Sequence, residues 1–129
     1  LVGNIYFAHY YAWQGQSRDI YMHRLIPEYF RGTGENGELL CLNSSVRHLR
    51  EAMPFDRISV TMALKSLHTF SAVFYYEYFR IEPDGQPTKL AFGENHSVWV
   101  IRDRQKTPVP APFPKKVREA FWQSIRSNP

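Results

Sequence analysis

Tyr10, Gln14 and Arg18 stand four residues apart, so in a helix they climb one side of it. The column carries a phenol, a carboxamide and a guanidinium, groups that donate hydrogen bonds to a ligand oxygen. Arg18 lies beyond the small Gly15, which leaves its guanidinium room to reach such a ligand. The plain alternative is an arginine on a helix surface, and spacing alone does not choose between the two.

Other chemistries find less support in the chain. Cys41 is the single cysteine, which excludes an internal disulfide framework and a multi-cysteine metal site, and predicts a reducing, intracellular compartment. His9, His23, His48, His68 and His96 show no H-x-x-x-H or H-E-x-x-H spacing, so neither a metal nor another cofactor is implied. No G-x-S-x-G elbow is present for a serine hydrolase. Gly32-Thr33-Gly34-Glu35-Asn36-Gly37 matches G-x-G-x-x-G, but it follows a helix and opens a strand, the reverse of a nucleotide loop. It reads as a flexible connection. Asn43-Ser44-Ser45 and Asn95-His96-Ser97 match the glycosylation sequon, yet both fall in predicted strands and read as chance. Cys41, between Leu40 and Leu42, reads as a small structural residue of a strand.

The elements that must position the column follow from periodicity. From about Tyr6 to Leu25 there is no proline, Gly15 is the only glycine, and Phe7, Tyr10, Tyr11, Tyr21 and Leu25 recur near helical spacing. Gly15 in a helix costs roughly 1 kcal/mol against alanine, so a close backbone contact or a nearby ligand is expected there. Pro27 ends the helix. Beyond Glu38 the period becomes two. Leu40, Leu42 and Val46 are expected on one face of a first strand, and Ile58, Val60, Met62 and Leu64 on one face of a second. Ser71–Glu82 is apolar and aromatic on both faces, so both are expected to be covered. Glu77 shares a face with Val73, Tyr75 and Phe79 and is expected to be a buried carboxylate, paired with an arginine. Pro83-Asp84-Gly85 is a turn, and Lys89–Arg102 a last strand. The 108–112 stretch is extended, and Pro114 starts a closing helix, Lys115–Ile125. A strand before Leu1 would make five, because the chain opens on Leu1 and its N-terminus is expected to be incomplete.

The 129 residues suit a single domain. Hydrophobic residues are 43% and charged residues 22%, as in ordinary globular chains, whereas 16% aromatic is high. Those rings suit an oligomer interface and an apolar ligand slot. The net charge is +4, without a dense basic run; Lys115-Lys116-Val117-Arg118 is among the richest stretches, which argues against nucleic acid. No apolar run reaches the roughly 20 residues that cross a bilayer.

Gly3-Asn4-Ile5-Tyr6-Phe7-Ala8-His9-Tyr10-Tyr11-Ala12-Trp13-Gln14-Gly15-Gln16-Ser17-Arg18 resembles the opening of 4-hydroxybenzoyl-CoA-thioesterase-like hot-dog proteins. Its Trp13-Gln14-Gly15 variant, followed by Arg18, looks most like the thioesterases of enediyne polyketide synthases. Val46–Asp56 is similar to the family's Y-L-R-P-A…G-D stretch, and Pro110–Phe121 to its closing tail. The resemblance implies an α+β hot-dog fold over 1–129: an antiparallel sheet of about five strands wrapped around a long central helix, with a short C-terminal helix. Many relatives place a glutamate where Gly15 stands, or an aspartate just ahead of the Gly3 loop; the first is absent here, and the second falls before Leu1.

The implied activity is hydrolysis of a long conjugated acyl chain from the acyl carrier protein of an iterative polyketide synthase, in the cytoplasm. A general acyl-CoA thioesterase and a non-catalytic acyl-binding domain are the alternatives. The resemblance assigns Arg18, Tyr10 and the backbone N–H of Phe7 to the oxygen that becomes negative. Gly3, Asn4, Tyr6, Tyr11, Trp13 and Gln14 would contact substrate. A homo-oligomer, a dimer of dimers, is implied, with active sites between subunits and neither nucleic acid nor membrane as partner.

Overall fold

The structure is a computed structural model that describes residues 8–26 and 37–127. Expectations for Gly3, Asn4, Tyr6 and Phe7, for the helix stop at Pro27 and for most of the glycine-rich connection lie outside the described residues. Helix α1 (Ala8–Leu25) is followed by strands β1 (Glu38–His48), β2 (Ile58–Leu67), β3 (Ser71–Ile81), β4 (Pro87–Arg102) and β5 (Pro108–Pro110), and by helix α2 (Lys115–Ser127). The strands form one antiparallel sheet in the order β1-β4-β3-β2, with β5 paired to β4. This is the expected α+β hot-dog arrangement. Among the described residues its fifth strand is β5, drawn from the extended proline tail.

Strict alternation on β3 buries Ala72, Phe74, Tyr76 and Tyr78 under α1. The helix answers with Tyr10, Gln14 and Met22, all 2% exposed or less. Phe113, Val117 and Phe121 bring α2 into the same core, and the Tyr21 and Ser124 hydroxyls hydrogen-bond between the helices. The outer face of β3 is only half-covered. Glu77 on that face is a third exposed and pairs with Lys89 at 2.7 Å, so it is neither buried nor held by an arginine.

In β1 the expected face is reversed. Leu39 is buried, whereas Leu40 and Leu42 are exposed. The pairing with β4 slips between Cys41 and Asn43, and such a bulge flips which side chains face the core. Leu39 and Cys41 before the slip, and Ser44 and Val46 after it, therefore share the helix side.

Candidate active site

Two phenols fix how α1 lies on the sheet. Tyr76 donates to the Gln14 carbonyl and Tyr78 to the Tyr10 carbonyl, each at 3.1 Å. Alternate strand residues are about 6.6 Å apart and four helical residues rise about 6 Å, so the two spacings match. Burial pushes both phenols well above the usual tyrosine range, with the Arg18 charge pulling Tyr76 partly back. They stay protonated and donate.

Beneath the helix, β4 presents Ala91, Gly93, Asn95 and Ser97, a row of small and polar side chains, all buried. Gly93 permits the closest approach. A Cβ there would stand 2.0 Å from the Ser45 carbonyl oxygen and 3.0 Å from Gln14 Nε2. Gln14 donates through that nitrogen to the same Ser45 oxygen at 3.1 Å, and its Oε1 is buried without a hydrogen-bond partner among the described residues. A buried acceptor without a donor is costly, and ligand or water supplies one where protein does not.

Arg18 reaches from α1 to the Ser97 hydroxyl, Nη1 to Oγ at 3.3 Å. Ser97 in turn donates to Asn95 Oδ1 at 2.6 Å, and Asn95 Nδ2 donates to Ser44 Oγ at 3.0 Å and to Cys41 Sγ at 3.2 Å. Among the described residues the one carboxylate near Arg18 is Asp19, at 4.0 Å and 62% exposed. A solvated contact of that length neutralises little of the guanidinium charge. Asn95 and Ser97 were legible in the sequence as a chance sequon; what marks them is their place at i and i+2 on the core side of a strand.

The predicted site residues do not all converge. Tyr10 is in the core, edge-on to His48 at 4.7 Å, to Tyr78 at 4.9 Å and to Trp13 at 5.1 Å. Burial, and secondarily the Asp56 charge, raise its pKa. Eight helical residues separate it from Arg18, about 12 Å of rise, so in one chain the two side chains do not meet at one oxygen. Gln14 and Arg18 are brought together on the sheet. Tyr11 is 39% exposed and Trp13 half-buried. The room expected at Gly15 exists, and among the described residues the close contact does not: beyond the helix's own backbone, a Cβ there meets none of them within 4 Å. Tyr11, Gly15 and Arg18 follow i, i+4, i+7, so this open strip lies along the flank toward β1. A separate cavity of about 420 Å³ opens on the other flank, between α1 and β2, lined by Ser17, Ile20, Tyr21, Arg24, Leu25, Val60 and Met62.

The model of the thioesterase-like superfamily matches residues 1–121. The chain belongs to that superfamily. Its enzyme class is therefore the one that the resemblance of the 3–18 segment implied, a thioester hydrolase. Among solved structures, this thioesterase is similar to the dynemicin thioesterase, studied with bound polyene, at 29% identity and a TM-score of 0.84, over 95% of this chain and 86% of that one. It shares the fold of the 4-hydroxybenzoyl-CoA thioesterase of Pseudomonas sp. strain CBS-3 at 14% identity and TM-score 0.80, over 92% and 86% of the two chains. Gentisyl-coenzyme A thioesterase is a further fold relative, at 16% identity and TM-score 0.73, covering 93% and 88%. A search of curated proteins finds no match. No helix among the described residues is long and apolar enough to cross a membrane.

Proposed function

We propose that this thioesterase releases a long conjugated polyketide chain from the acyl carrier protein of an iterative enediyne-type synthase, in the cytoplasm. The observation that carries the hydrolytic step is Arg18: a guanidinium drawn into the helix–sheet seam, held by a neutral hydroxyl and, among the described residues, without a buried counter-ion. A carbonyl oxygen turning negative during attack on the thioester is the charge such a group awaits. One oxyanion donor is typically worth about 3 kcal/mol, or roughly a hundredfold in rate. Thioesters are already activated, so positioning and charge stabilisation suffice without a strong base.

In this reading the thioester lies in the open strip over Gly15, between Tyr11 and Arg18, beside the β1 edge. The buried Gln14 Oε1 accepts from the attacking water or from the substrate. The backbone N–H of Phe7, outside the described residues, keeps the role of second donor that the resemblance implies, in a homo-oligomer whose sites lie between subunits. Tyr10 and Trp13 then shape the wall between helix and sheet; Gly3, Asn4 and Tyr6, outside the described residues, keep the substrate-contacting role that the resemblance implies.

The test is release from a carrier protein loaded with its native polyene, with simple acyl-CoAs assayed in parallel. Fast release from the carrier, lost in Arg18→Ala, supports the reading. Turnover of acyl-CoA alone moves the protein to general thioester hydrolysis. Binding without hydrolysis of either leaves a non-catalytic acyl-binding domain.

A further inference from the structure

We propose that Ser97 and Asn95 are positioning residues for Arg18, forming a one-way chain of hydrogen bonds that aims the guanidinium from the β1 edge. The proposal rests on the reading of Arg18 as the oxyanion donor. Ser97 is fully buried and Asn95 is 3% exposed, in a seam otherwise walled by Ala72, Phe74 and Tyr76. Two polar side chains in such a place cost folding free energy unless every bond is made. Here they are made in one direction only.

Asn95 spends both amide protons on β1, one on Ser44 and one on Cys41, which turns its Oδ1 toward Ser97. Ser97 has a single hydroxyl proton and gives it to that Oδ1 at 2.6 Å. Its remaining lone pairs can only accept, and Arg18 Nη1 is the donor they receive. Reversal at any link would leave a buried donor facing a donor. The chain thus holds one corner of a flexible side chain and leaves the other guanidinium protons to the open side. The anchor is also neutral. A carboxylate in its place would bind Arg18 more tightly and compete with the oxyanion for the same charge.

Hydrogen bonds that merely stitch β1 to β4 would give a different signature, and a double-mutant cycle separates the two. The variants are Arg18→Ala, Ser97→Ala, the double variant, and Asn95→Ala as a second break in the chain should Ser97→Ala fold poorly. All are assayed on carrier-bound polyene and acyl-CoAs. Ser97→Ala is expected to lower kcat about tenfold with KM little changed, and to add nothing once Arg18 is alanine. An equal loss in both backgrounds, or no loss beside an impaired Arg18→Ala, overturns the proposal while the reading of Arg18 stands. Full activity in Arg18→Ala sinks that reading instead. Positioning is then judged by ¹⁵N spectra of the Arg18 guanidinium, whose rotation is expected to be hindered in the parent and free in Ser97→Ala and Asn95→Ala. Unchanged rotation in both variants overturns it independently of activity.

Discussion

The Tyr76 hydroxyl donates to the Gln14 carbonyl in the middle of α1, and Tyr78 repeats the bond one helical turn earlier, at Tyr10. Those carbonyls also accept intrahelical bonds, so the phenols are extra fasteners that set register and do not build the helix. Tyr76→Phe and Tyr78→Phe should each cost about 1 kcal/mol, a Tm loss of several degrees, measured by thermal unfolding. Unchanged Tm in the double phenylalanine variant would show that ring packing alone holds the helix in place.

Gly93 is where β4 comes closest to its neighbours. A methyl group there would have to push away the Ser45 carbonyl, a backbone atom with nowhere to turn, and then Gln14. Gly93→Ala should destabilise by about 3 kcal/mol, at the upper end of overpacking costs. Denaturant unfolding reads this directly. A variant as stable as the parent would mean that β1 and β4 part there without penalty.

Phe55 is fully exposed with φ at 72°, in the turn where Asp56 accepts from the Met53 N–H. A bulky residue in the left-handed region costs about 1–3 kcal/mol, and glycine returns some of that gain as chain entropy. Phe55→Gly should therefore stabilise the chain by about 1 kcal/mol in urea unfolding. A loss of stability would mean that the exposed ring is held by something the single chain does not contain.

Glu82 accepts from Arg80 Nε and from the Thr88 hydroxyl, each at 2.8 Å, and these bonds hold its carboxyl below the ordinary 4.5. A carboxylate with a lowered folded-state pKa contributes fully above its unfolded value and loses that contribution as pH falls through the folded one. Tm of the parent should therefore drop more steeply below about pH 4.5 than Tm of Glu82→Gln. Parallel curves would assign the acid sensitivity elsewhere, with Glu94, lowered by Lys65 and His96, next in line.

What the sequence made legible was periodic. The three-to-four spacing of α1 and the two-residue spacing of β2 and β3 carry the fold, because burial acts on every turn and every pleat. Features that break period were not legible. The bulge at Cys41/Asn43 moved Leu40 and Leu42 outward, and no local residue announces it. Glu77 looked buried because its neighbours are apolar, but only half of that face is covered. Arg18 was singled out by its own spacing, whereas the Ser97 and Asn95 that hold it lie 79 and 77 positions away and become neighbours only through the sheet. Tyr10 shared Arg18's column, yet a column says nothing of the 12 Å of rise along it.

Gly15 separates the demands of the helix from those of the site. Among the described residues nothing beyond its own helix backbone lies within 4 Å of the Cβ it lacks, so Gly15→Ala should raise stability by about 1 kcal/mol through helix propensity alone. Under the proposed reading the same methyl group projects into the strip between Tyr11 and Arg18 where the thioester lies. Thermal unfolding and polyene release from the carrier, measured on one preparation, should then move in opposite directions: Tm up by several degrees, turnover down. If both rise or turnover holds, the strip over Gly15 does not carry substrate, and the thioester must approach Arg18 by another route. If Tm falls, the space is filled in the assembled protein, and a partner copy rather than substrate is what the glycine accommodates.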